Sequence, residues 1–216
     1  MGSLLPQLGF AAGALLAPAG GLAAGAAEPF TIVALGTSLT ESGDWPQRLG
    51  GRLAACWEKP VRVERVAGSG MTSRWGVQQI ERVAAFRPNV VLVEFAMNDA
   101  NWRRFVSRER SRANVVAIGR GLRERVLGVK LFLVTTNVVH GLRGMMRPSV
   151  DAYYQQYRAI SESEGIGLID LAPIWAALPR EALRRAVPDG VHPTAEAFGG
   201  VALPAIVAAV SGGACR

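Results

Sequence analysis

The chain has 216 residues, half of them hydrophobic and 19% charged, a balance that excludes a disordered polyelectrolyte and suits one domain with a sizeable core. The formal net charge of +7 is carried almost wholly by arginine, since Lys59 and Lys130 are the only lysines. Such a charge would suit an acidic partner, but no aromatic residues interleave with a basic block, so nucleic acid is not expected as a ligand.

Residues 1–27 contain no charged side chain and end in small residues, Ala24 to Ala27, that look like a cleavage site. They predict a secretory signal peptide and export to the periplasm or beyond, although the leading segment lacks Lys and Arg. Their Gly and Pro content makes a poor membrane-spanning helix, so no stable membrane insertion is expected after cleavage. A single domain over 28–216 follows. Cys56 and Cys215 could pair in an oxidising compartment, which two cysteines alone do not establish. No spacing suggests a metal site, and no cofactor is expected.

From residue 30 onward short apolar runs alternate with segments of helical period. The runs 30–36, 61–66, 89–95, 130–136 and 166–170 predict buried parallel strands. Between and after them, helices are expected at 44–57, 74–86, 107–126, 148–164 and 193–210. Strand and helix in strict alternation imply an α/β sandwich whose parallel sheet is covered on both faces. Ligands of such sheets bind beyond the carboxyl ends of the strands. Chemistry is therefore to be sought in the segments after the strands: "GTSLT", "AGSGMTS", "AMNDA", "NVVHG" and, before the last helix, "PDGVHP".

His192 is one of only two histidines, and Asp189 precedes it by three residues on one tight loop containing Gly190. An imidazole acting as general base needs one nitrogen toward the reacting hydroxyl and the other held by an acceptor, which Asp189 can supply. Ser38, where the first strand turns into a helix, is the candidate nucleophile; the ordinary alternative is that Thr37, Ser38 and Thr40 merely cap that helix. No G-x-S-x-G elbow is present. Asn98 offers a side-chain amide to an oxyanion, and Gly70 a backbone N–H that no Cβ obstructs.

Ser38 in "GTSLT", Gly70 in "GSGMTS", Asn98 in "AMNDA" and Asp189 with His192 in "DGVHP" resemble, in order and spacing, the four blocks of the SGNH, or GDSL-like, hydrolases. The resemblance runs from about residue 30 to 200. It implies a flavodoxin-like three-layer α/β/α sandwich with a five-stranded parallel sheet. It also implies ester hydrolysis by Ser38, His192 and Asp189, with an oxyanion hole made by the N–H groups of Ser38 and Gly70 and the Asn98 side chain. Three positions depart from the family pattern: Thr37 stands where an acid is usual, Ala96 where a Gly is usual, and Val66 or Ala67 where an Asn is often found.

His140 lies in a loop with Arg143 and Arg147 on the substrate edge, where it could contact substrate and the arginines could favour an anionic one; a solvated loop histidine with no catalytic role is the expectation. Arg103, Arg104, Arg108, Arg110 and Arg112 are expected on a solvated face. Trp45, Trp75 and Trp102 follow strand ends, where they would line a sugar or acyl pocket or serve as ordinary packing. Two rival functions remain. One takes "GSGMTS" as a truncated dinucleotide fingerprint with Glu94 as the ribose-binding acid, although its third glycine is Ser73. The other is an exported glycan-binding module without turnover. The substrate favoured is a small-molecule or carbohydrate ester with a short acyl group.

Overall fold

The computed structural model describes residues 1–2 and 28–215, so the expected signal peptide lies almost wholly outside the described residues. Five strands, β1 (Phe30–Gly36), β2 (Val61–Ala67), β3 (Val90–Val93), β4 (Lys130–Thr135) and β5 (Gly167–Asp170), form one parallel sheet in the order β2-β1-β3-β4-β5. All four neighbouring pairs are parallel, for example Ile32 opposite Val63 on one side and Val90 on the other.

The helices in chain order are α1 (Ser38–Glu41), α2 (Trp45–Trp57), α3 (Ser73–Gln78), α4 (Ile80–Ala85), α5 (Ala96–Asp99) and α6 (Arg108–Arg125). They continue with α7 (Gly141–Met145), α8 (Val150–Glu164), α9 (Ala172–Ala176), α10 (Arg180–Ala186), α11 (Ala195–Ala197) and α12 (Leu203–Ser211). Because strand side chains alternate between faces, the two halves of each strand feed two different cores. Val33, Leu35, Val91, Val93, Leu131 and Leu133 pack beneath α3, α4, α6 and α8. Ile32, Ala34, Val90, Leu92 and Val134 pack beneath α2, α9 and α12. This is the three-layer α/β/α sandwich expected from the alternating pattern, with the flavodoxin-like strand order that the resemblance implied.

Three local expectations need correction. The run 61–66 was expected to be buried, but β2 is an edge strand with Arg62 exposed and in an ion pair to Glu64 at 3.2 Å. Charge on an open edge discourages pairing with other chains. The helix expected over 74–86 breaks at Gln79, whose N–H turns back to the Gly76 carbonyl at 3.0 Å. The last helix is interrupted by a π-turn at Phe198–Ala202. Pro204 accounts for the position of that turn, because its ring displaces the carbonyl four residues earlier and supplies no N–H.

Cys56 and Cys215 are joined by a disulfide with their Cα atoms 5.9 Å apart. The bond ties the end of α2 to the segment after α12, two helices that already share a core. No helix among the described residues is long and apolar enough to cross a membrane.

Candidate active site

The site is built at the carboxyl ends of the strands. β1 ends at Gly36, and Thr37 caps the one-turn helix that Ser38 begins. Gly36 is required there, since a Cβ would run into the Glu94 carboxyl and lie 2.7 Å from the Thr40 hydroxyl. Glu94 itself, at the end of β3, is buried and accepts from the Thr37 N–H at 2.6 Å, from the Thr37 hydroxyl at 3.0 Å and from the Thr40 hydroxyl at 2.8 Å. Burial pushes its pKa up to about 7 against the opposing effect of those hydrogen bonds. The acid absent between Gly36 and Ser38 thus has a counterpart reaching the same turn from β3. So placed, Glu94 is closed to any ribose, and the dinucleotide reading fails.

Ser38 Oγ lies 2.9 Å from His192 Nε2, and His192 Nδ1 lies 2.7 Å from Asp189 Oδ2. The other carboxylate oxygen of Asp189 accepts from the N–H groups of Val191 at 2.9 Å and His192 at 2.7 Å. Burial alone would raise the Asp189 pKa, but the hydrogen bonds from His192 and Val191 outweigh it and bring it to about 2. The carboxylate therefore stays ionised and holds Nδ1 as the protonated nitrogen, leaving Nε2 free to take a proton from Ser38.

The loop carrying this pair is pinned from β4. The His140 N–H donates to the Gly190 carbonyl at 3.0 Å, and the Asn137 amide donates to the Val191 carbonyl at 3.0 Å. Gly190 has φ +81°, and a Cβ there would collide with the His140 carbonyl. His140 is accordingly a half-buried support for the loop, not the solvated residue expected.

Asn98 sits in α5, where its amide donates to the Met71 carbonyl at 2.9 Å and its Oδ1 accepts from Arg147 at 3.3 Å. These contacts fix which end of the amide is which and leave its second N–H available. Asp99 beside it ties the neighbouring loops together, accepting from the Ser73 N–H at 2.9 Å and the Ser111 hydroxyl at 2.6 Å. Gly70 has φ +74°. Among the described residues, neither the Ser38 N–H nor the Gly70 N–H has an intramolecular acceptor.

Ser38, Gly70, Asn98 and His192 all line one open cavity of about 670 Å³. Trp45 forms part of its wall, stacked on Phe198 with ring centroids 5.7 Å apart. Trp75 instead packs in the core edge-on to Phe95, and Trp102 is exposed outside the cavity wall. Arg143 donates to Asp189 Oδ2 at 2.7 Å, a partner sequence reasoning did not assign. Arg104 is exposed, as expected of a solvated face, and its guanidinium also lies against Gly70 in the wall of the open cavity. No cluster of His, Cys, Asp or Glu among the described residues could hold a metal ion.

A parallel sheet in this order, with serine, glycine, asparagine and histidine gathered from successive loops at its carboxyl edge, defines an SGNH-type hydrolase fold. The chain belongs to the GDSL-like Lipase/Acylhydrolase family, whose model matches residues 34–198, and is an ester-bond hydrolase. No curated protein sequence matches it. Among solved structures it is similar to a variant of Axe2, an acetyl-xylooligosaccharide esterase from Geobacillus stearothermophilus, with TM-score 0.72, 20% identity, and 86% of this chain and 96% of that chain covered. A catalytic mutant of the same acetylxylan esterase gives the same values, TM-score 0.72 and 20% identity over 86% and 96% of the two chains. LAE5, an alpha/beta hydrolase from the metagenome of Lake Arreo, is similar with TM-score 0.68 and 20% identity over 85% of this chain and 94% of that one.

Proposed function

We propose that the protein is a serine esterase that cleaves carboxylic esters through an acyl-enzyme on Ser38. The observation that carries this reading is the unbroken chain from Ser38 Oγ to His192 at 2.9 Å and from His192 to Asp189 at 2.7 Å. His192 Nε2 takes the Ser38 proton as Oγ bonds to the ester carbonyl carbon. The resulting oxyanion lies among the Ser38 and Gly70 N–H groups and the free N–H of Asn98, while Asp189 steadies the imidazolium. His192 then returns the proton to the departing alcohol as the ester C–O bond breaks. Water, deprotonated by the same nitrogen, repeats the sequence and releases the acid.

A short acyl group on a carbohydrate is the substrate class we favour. The Trp45 and Phe198 wall suits a sugar ring, and the similar Axe2 structures are those of an acetylxylan esterase. We also place the protein outside the cytoplasm: the uncharged leader over 1–27 and the paired Cys56 and Cys215 both support export. N-terminal sequencing of protein recovered from the periplasm or medium tests that placement, and recovery of an intact leader in the cytoplasm would refute it.

Hydrolysis of p-nitrophenyl acetate and longer-chain esters, by the wild type and by Ser38→Ala, tests the chemistry. Activity that disappears in the variant is expected, with rates highest for short chains. Equal rates in both proteins would remove Ser38 as nucleophile. Retention on a glycan column with no turnover of any ester would instead favour a binding module.

A further inference from the structure

The walls of the cavity carry more positive charge than the proposed chemistry uses. Arg104, Arg143 and Arg147 all line it, whereas Asp44 is the one acid in its wall and already faces Arg48 at 3.7 Å. Of the three guanidinium groups, Arg143 is paired with Asp189 at 2.7 Å. Arg147 is buried, and its donors go to neutral acceptors: the Met97 carbonyl at 3.0 Å, the Arg143 carbonyl at 3.0 Å and Asn98 Oδ1 at 3.3 Å. Burial lowers its pKa, and the nearby charges of Arg104 and Arg143 lower it further against the opposing effects of Tyr154 and Asp189. Arg104 makes no side-chain hydrogen bond or ion pair among the described residues. Its guanidinium covers Gly70, beside the N–H assigned to the oxyanion.

A buried guanidinium with no carboxylate bonded to it and a second, exposed and unpaired one at the mouth of the same cavity form a region of positive potential that suits an anion. Among the described residues no carboxylate bonds Arg104 or Arg147: Asp189 acts on Arg147 only at a distance while engaged by His192 and Arg143, Glu41 accepts from Ser69, and Glu94 lies beneath the Ser38 turn, hydrogen-bonded to Thr37 and Thr40. The counter-charge is left for the substrate to bring.

We propose that the cavity selects esters bearing a carboxylate, such as an acylated acidic sugar, and that Arg104 is the residue that contacts it. This rests on the esterase reading and names its substrate class. Arg104 is the free donor of the three and presents a planar fork matched to a carboxylate. Arg147 contributes its charge from behind Asn98, and the flexible Arg104 side chain sets the reach from the scissile carbonyl.

The test compares 4-acetoxybenzoate with 4-acetoxybenzamide, which share the acetyl group and differ in the charge on the alcohol side. Relative to their hydrolysis in buffer, wild-type kcat/KM is expected to favour the anion about 10- to 100-fold, the range for a charge-assisted hydrogen bond. Arg104→Gln should erase most of that preference, Arg104→Lys should keep part of it, and added salt should erode it for the wild type. Ethyl hydrogen adipate against ethyl hexanoate shows whether the carboxylate is instead accepted on the acyl side. No preference by the wild type for either anion, or an Arg104→Gln variant that slows charged and neutral esters equally, overturns the proposal. If no ester is cleaved, the esterase reading fails separately. Calorimetric binding of 4-acetoxybenzoate and 4-acetoxybenzamide to Ser38→Ala then decides the anion preference, and equal affinities would refute it.

Discussion

Glu94 offers a quantitative test of how the Ser38 turn is held. Its carboxyl is buried under Thr37 and Thr40, and its pKa is raised from 4.5 to about 7. A raised pKa means that the folded state binds the proton more tightly than the unfolded chain does. The stabilisation is complete below the unfolded value and is lost as pH rises through the folded one. A rise from 4.5 to about 7 corresponds to a loss of about 3 kcal/mol between roughly pH 4 and pH 8. Glu94→Gln imitates the protonated acid: its carbonyl can accept from Thr37 and Thr40, and its amide can donate to the Thr37 hydroxyl. Urea unfolding of the wild type and the variant at the two pH values isolates this one group, since every other carboxyl contributes equally to both. The variant is expected to be close to the wild type at about pH 4 and more stable than it by about 3 kcal/mol at about pH 8. The same pH dependence in both proteins would show that Glu94 does not take up its proton in the way its burial requires.

Asn98→Ala should lower kcat by about 10²- to 10³-fold while the protein stays folded, as measured by ester turnover beside circular dichroism; near-full activity would remove Asn98 from the oxyanion hole. Gly190→Ala forces a side chain into left-handed backbone facing the His140 carbonyl, so it should cost about 1 to 3 kcal/mol in thermal unfolding and misplace His192. A Tm and turnover matching the wild type would contradict that account. Replacing Cys56 and Cys215 together by serine should destabilise by about 2 to 5 kcal/mol, because the bond closes a loop spanning a sequence separation of 159. Denaturant unfolding reads that loss, and an unchanged midpoint would mean that the bond contributes nothing to the fold.

The sheet was legible because its central strands are buried on both faces, so β1 and β3 read as continuous apolar runs with few competing interpretations. The gathering of Ser38, Gly70, Asn98, Asp189 and His192 at one edge of the sheet was legible for a different reason: each lies just beyond a strand end or before the last helix, where the fold class puts ligands. Short helices such as α5 and α7 were missed, as four or five residues carry no period to detect. Their positions are set by tertiary partners, among them Asp99 against Ser73 and Ser111.

Side-chain traffic across the sheet's edge left no trace in the chain order. Glu94 is 57 residues from Thr37 yet holds its N–H, and Arg143 is 46 residues from Asp189 yet bonds its carboxylate. Arg104 reads as one charge among many until the fold lays it over Gly70. The sequence by itself determined the architecture and the chemical groups at the site, because local periodicity and strand-end position are properties of contiguous residues. Only the tertiary structure decided which groups are buried, which charges are paired, and which guanidinium is left unpaired in the cavity wall, because those depend on long-range contacts that bring distant residues together.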